Sequence, residues 1–162
     1  RQLRVPILEG VLRLGLHAKA FERSEELDAM YPVDKESELR WLAVRHDGRR
    51  GSTATMVLEA RPSGTPGHVV DLDSVSGTPL LGAAGAAHWS PGVRVASDGP
   101  VVRVRLEARA ARCDDHVFME GGGSTAFRVG LRLDGEPGQL LVRMDDRVSA
   151  SAVAFVRESC GL

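Results

Sequence analysis

Lysine is almost missing from this chain: Lys19 and Lys35 are the only two in 162 residues whose Lys and Arg together number 21. Positive charge here is guanidinium charge, planar and able to grip anions with two donors at once, although a GC-rich coding sequence produces the same bias. Aromatic residues make up 4%, too few for a platform on which bases or sugar rings would stack. No run approaches the roughly 20 apolar residues that a helix needs to cross a bilayer. Neither sign of charge is in excess, since the formal net charge is -1. That removes any overall bias toward nucleic acid, a membrane surface or acidic ligands. Catalytic signatures are missing too. Gly121-Gly122-Gly123-Ser124-Thr125 lacks the Gly-Lys-Ser/Thr ending of a phosphate loop and reads as a β-turn. Ser149 and Ser151 lie outside any Gly-x-Ser-x-Gly elbow. The histidines stand singly, with no pair at helical metal-ligand spacing.

What is abundant is glycine, at 18 residues, with 8 prolines, a turn-rich composition that suits an all-β chain. Part of the sequence also occurs twice. Arg4-Val5, Glu9-Gly10 and Val11 to Leu16 are echoed by Arg94-Val95, Asp98-Gly99 and Val101 to Leu106. Leu42 to Gly48 is echoed by Val129 to Gly135. The blocks keep their order at an offset of roughly 90 residues, the size of a small β-sandwich module. The segment 51–93 has no counterpart before the first copy, and the chain begins with Arg1. The expectation is therefore a division into residues 1–50, the trailing half of a first module with its upstream half lost, and residues 51–162, a complete one.

Alternation places strands at Val11–Leu16, Leu39–His46, Thr53–Ala60, His68–Leu72, Gly92–Val95 and Val101–Ala110. Thr53–Ala60 and His68–Leu72 read as a hairpin-like pair across the long turn 61–67. Ala126–Leu133 and Gln139–Met144 read as a second hairpin across 134–138. Residues 20–30 carry helix formers stopped by Pro32. Arg49 to Ser52 reads as an inter-module linker, and Leu81 to Ala87 as a loop or a crossing between sheets. At the end, Asp145 or Asp146 can cap a helix with Val148, Ala152, Phe155, Val156 and Cys160 on one face, closed by Gly161. Trp41 and Trp89 read as core or inter-module anchors, with Trp89 the better placed for exposure and ligand contact. The arginines at 13, 40 and 45, and those at 94, 103, 105, 109 and 112, alternate with apolar residues. A solvated sheet face accounts for them; an anion-binding stripe on the second set is the alternative, diluted by Asp98 and Glu107.

The two cysteines are natural partners in an oxidising compartment. Their bridge would tie the terminal helix to the strand ending near Cys113 and stabilise the fold by about 2–4 kcal/mol. Cys113-Asp114-Asp115-His116 with Glu120 is the one cluster that looks chemical. Thiolate, carboxylate and imidazole could ligate zinc, and a Cys-His pair could supply a nucleophile and base. The competing reading is a bridged Cys113 with Asp114 and His116 bonding the backbone of a tight loop.

These residues also carry a resemblance. Ser76-Gly77-Thr78-Pro79-Leu80, Arg112-Cys113-Asp114-Asp115-His116 and Ser159-Cys160-Gly161 make residues 53–162 similar to a group of actinobacterial secreted or lipid-anchored proteins of unknown function. The group's Cys-Asp-x-His motif continues Pro-His-Ala-x-Ala-Glu-Asp-Lys. Here Asp115 stands in place of the proline, and Val117 to Gly123 keeps only Glu120 of the charged continuation. The resemblance implies an Ig-like sandwich outside the cytoplasm and no known activity. The expectation is thus an all-β, Ig-like β-sandwich, tandem or one and a half modules, with a short C-terminal α-helix. It would be a non-enzymatic cell-envelope binding or structural module with no cofactor, its partner a protein, glycan or small molecule and not nucleic acid. Asp114, His116, Glu120 and Trp89 are the candidate contact residues. A metal-binding module on the Cys113 loop, or a hydrolase with an unrecognised site, are the alternatives.

Overall fold

The computed structural model describes residues 39–62, 64–119 and 121–162. The expected strand at Val11–Leu16 and the helix-forming segment 20–30 lie outside these residues. Among the described residues nine strands form two antiparallel sheets, and a helix follows them at the C-terminal end. The first sheet runs β1 (Leu39–Arg45), β2 (Ala54–Ala60), β7 (Val102–Ala110), β4 (Leu81–Ala83). In the second, β3 (Val69–Ser76), β8 (Ala126–Leu133) and β9 (Glu136–Arg143) are neighbours in that order. The two short strands β5 (His88–Trp89) and β6 (Val93–Ala96) pair along the other side of β3. With β5 and β6 set aside, the strand order is that of a constant-type immunoglobulin sandwich, four strands against three.

Alternation decides which side chains enter the space between the sheets. Ala54, Met56, Leu58 and Ala60 of β2 and Val104, Leu106 and Ala108 of β7 point inward, meeting Val70, Leu72, Val75, Phe127, Val129, Leu131, Leu140 and Val142. Two bulges repair the phase where the sequence breaks period. The pairing slips between Trp41 and Ala43, so Leu39, Trp41 and Val44 are all buried. It slips again between Leu72 and Ser74, which turns Val75 inward. Trp41 and Phe127 meet at the centre, ring centroids 4.8 Å apart, and the Trp41 indole N–H donates to the Val142 carbonyl across the core at 3.2 Å.

The terminal helix α1 (Asp146–Cys160) is built as its caps foretell. Asp145 accepts from the Val148 amide at 2.8 Å. Gly161, at φ 72, turns the chain so that the last carbonyls are used. Val148, Ala152, Phe155 and Val156 are buried against the sandwich, where α1 lies over β1 and β7. The Arg147 guanidinium reaches the Leu42 carbonyl at 2.8 Å, and Gly51 N–H donates to the Ser159 carbonyl at 2.8 Å.

Several expectations change. The hairpin-like pair across 61–67 is absent: β2 and β3 belong to opposite sheets, because each has an apolar face that the other can cover only across the core. The β8–β9 turn is two residues, Asp134 and Gly135, at φ 49 and 88, with Leu133 opposite Glu136. Pro137 is accommodated because β9 is an edge strand. The division expected at residue 50 falls between hydrogen-bonded neighbours, since β1 pairs with β2 and fills the same core. Arg49–Ser52 is their connecting loop, folded by the Arg49 amide on Asp47 Oδ1 at 3.1 Å. Leu81–Ala87 does cross between the sheets. The echoed blocks Leu42–Gly48 and Val129–Gly135 each supply strand residues followed by an Asp-Gly pair, one in each sheet, but only Asp134-Gly135 forms the turn itself.

Candidate functional site

The Cys113 loop follows β7. Cys113 is bonded to Cys160 with Cα atoms 5.4 Å apart. A bridged sulfur neither attacks a substrate nor ligates a metal, so the chemistry that made this loop notable is spent on structure. Asp114 lies between two neighbours. Arg112 donates to both its oxygens at 2.9 and 3.0 Å. His116 Nδ1 is 3.8 Å away, on a ring 85% exposed. The carboxylate thus takes a guanidinium and not the loop backbone, and it is the Asp114 carbonyl that accepts the Val117 amide at 3.2 Å. Glu120 lies outside the described residues. Among the described residues no three His, Cys, Asp or Glu side chains converge as metal ligands. Gly121–Thr125 forms a short 3-10 turn leading directly into β8.

Trp89 is not the exposed loop aromatic that its neighbours His88 and Pro91 predict. It is 6% exposed, and its indole N–H donates to the Glu107 carbonyl, pinning β5 of the second sheet to β7 of the first. Its ring stands 6.2 Å from Phe127. Asp114 and His116 are therefore together at the end of β7, while Trp89 is in the core.

A different charged cluster lies on the first sheet. The outer side of the first sheet is ordered by its register: Arg40, Glu59 and Arg103 lie in one row, Ala43, Val57 and Arg105 in the next, Arg45, Thr55 and Glu107 in the third. Glu59 is completely buried although it sits on this outer side. Arg40 reaches its Oε1 through Nε and Nη2 at 3.3 and 3.2 Å. Arg61 reaches the same oxygen at 3.3 Å, and Arg103 Nε takes Oε2 at 3.0 Å. Burial raises the carboxyl's pKa. The hydrogen bonds from Arg103 and Arg40 and the charges of Arg40 and Arg61 outweigh it and leave the group below the ordinary 4.5. The alternation of β2 places Glu59 on the outer side; what the sequence does not disclose is that Arg40 and Arg103 flank it, because that depends on which strands pair.

On the second sheet two arginines are paired with aspartates. Arg94 bonds Asp71 at 2.8 Å, Arg132 bonds Asp73 at 2.8 Å, and both carboxyls are held below their ordinary value, chiefly by those hydrogen bonds. At the β8–β9 turn, His68 Nδ1 lies 2.8 Å from Asp134, which also accepts the Val69 amide at 2.9 Å. The His68 bond, then the Val69 amide, lower the Asp134 pKa.

No protein-family model matches this chain, and no curated protein matches it. Among solved structures it is similar to a conjugate transposon protein from Bacteroides vulgatus, at 16% identity over 76% of this chain and 93% of that one, with a TM-score of 0.29. It is also similar to a conjugative transposon lipoprotein from Bacteroides eggerthii, at 13% identity over 70% of this chain and all of that one, with a TM-score of 0.25.

Proposed function

We propose that this chain is a non-enzymatic module working outside the cytoplasm, as a binding or structural part of the cell envelope. The observation that carries this reading is the Cys113–Cys160 bond, which fastens α1 to the end of β7. Such bonds persist in oxidising compartments and are rare in reducing ones. The non-enzymatic part rests on what the reactive groups are doing: Cys113 is bridged and Asp114 is held by Arg112. Membership of the actinobacterial secreted or lipid-anchored group belongs to the same proposal. Intact mass after thiol alkylation of denatured, unreduced protein from its native host tests it. Unmodified protein is expected; two alkylated cysteines would place it in a reducing compartment and overturn the reading.

A further inference from the structure

We infer that the outer side of the first sheet binds a linear phosphodiester polymer without bases, along the line of Arg61, Arg103 and Arg105; this deepens the reading of an extracytoplasmic binding module and rests on it. The chain as a whole is almost neutral, at -1, but this side is not. Among the described residues it carries Arg40, Arg45, Arg61, Arg103, Arg105 and Arg109 against Glu59 and Glu107, six guanidinium groups to two carboxylates. On the second sheet Arg94 and Arg132 are matched to Asp71 and Asp73, and Arg128 has no ion pair among the described residues.

Glu59 holds the cluster together without saturating it. Arg103 gives it only Nε and Arg61 only Nη2, so most of the five donors on each guanidinium stay available. Arg105, one row along, has no ion pair among the described residues. Successive outward side chains on β7 are about 7 Å apart, so Arg103 and Arg105 offer a repeating series of forked donors, the geometry that suits phosphate oxygens. The face favours a polymer over a bilayer because its central apolar side chain, Val57, is 6% exposed and cannot insert. It favours a polymer without bases because, among the described residues, no aromatic ring lies on it; Trp41 and Trp89 are both in the core.

The test is binding of fluorescently labelled poly(glycerol phosphate) to the intact protein across a salt series. Wild type should bind, with affinity falling as salt rises. Arg105→Gln, which breaks no ion pair, should weaken binding about tenfold at low salt and flatten the salt slope by about 0.7. Arg103→Gln with Arg105→Gln should weaken it further, and melting curves of each variant report whether the fold is kept. Arg128→Gln, on the outer side of the second sheet, should bind as wild type does. Absence of wild-type binding at low salt overturns the inference, as does an equal loss in Arg128→Gln, which would mean diffuse attraction. Tighter binding of oligothymidylate or of anionic vesicles than of poly(glycerol phosphate) also overturns it, in favour of those partners. These outcomes are independent of thiol alkylation: a reduced protein defeats the extracytoplasmic reading, and an inert face defeats only this one.

Discussion

Glu59 shows how one residue's environment is set by its neighbours in space. A carboxylate with no exposed surface is tolerable here because Arg40, Arg61 and Arg103 all donate to it. Glu59→Gln keeps the shape but faces guanidinium donors with an amide. It should cost about 1–3 kcal/mol in urea unfolding near neutral pH. The pH dependence has a definite sign. The folded pKa lies below the ordinary 4.5, so the unfolded chain takes up the proton first, and the Glu59 contribution is present above that value and lost as pH falls through the folded one. The wild-type advantage over Glu59→Gln should hold from about pH 7 to 5 and narrow as pH drops below 4.5. Trp89 makes the parallel point in the core. Trp89→Phe removes the donor to the Glu107 carbonyl and leaves a smaller ring beside Phe127. A loss of about 1–3 kcal/mol is expected in thermal or urea unfolding; an unchanged midpoint would mean the pin between sheets carries no stability.

Among elements, those governed by local chemistry were legible and those governed by partner choice were not. The helix is written out by Asp145, the apolar face from Val148 to Val156, and Gly161, all of which act within one turn or a few. Asp145→Ala removes the acceptor of the Val148 amide and should lower stability by about 0.5–2 kcal/mol, measured by urea unfolding followed by helical circular dichroism. Strands β1, β2, β7 and β8 were likewise legible from alternation. Their assembly was not. A sequence cannot say whether consecutive apolar faces pair along an edge or meet across a core, and so β2 and β3 look like a hairpin and are not one. The same limit hid the candidate site. Asp114 and His116 are conspicuous because they are consecutive, whereas Glu59, Arg40 and Arg103 become a cluster only when β1, β2 and β7 align. The burial of Trp89 is hidden for a related reason: a short strand among small residues reads as an exposed loop until β3 pairs with it.

For the whole molecule, stability turns on how the helix is held. Its apolar face buries against β1 and β7, its start is fixed by Arg147 on Leu42, and its end is fixed by the Ser159 contacts with Gly51 and Ser52. The disulfide adds a covalent tie between positions 47 apart in sequence, and much of its effect falls on the unfolded chain, which loses freedom once cross-linked. The double variant Cys113→Ser with Cys160→Ser should therefore keep the native far- and near-ultraviolet circular dichroism, because noncovalent contacts already seat α1. Its unfolding free energy in urea should be lower by about 2–4 kcal/mol. A variant whose near-ultraviolet signal is lost while the sheet signal remains would show instead that the bond is what seats the helix, since Phe155 would no longer be held against the sandwich. Adding Asp145→Ala to the double variant separates the two cases. If the helix is seated noncovalently, the cap and disulfide losses should add to within about 0.5 kcal/mol, as expected for changes at opposite ends of a cooperative element. A combined loss well below that sum would mean that the covalent tie and the cap support each other through a helix that is only marginally docked, because losing either one already frees it.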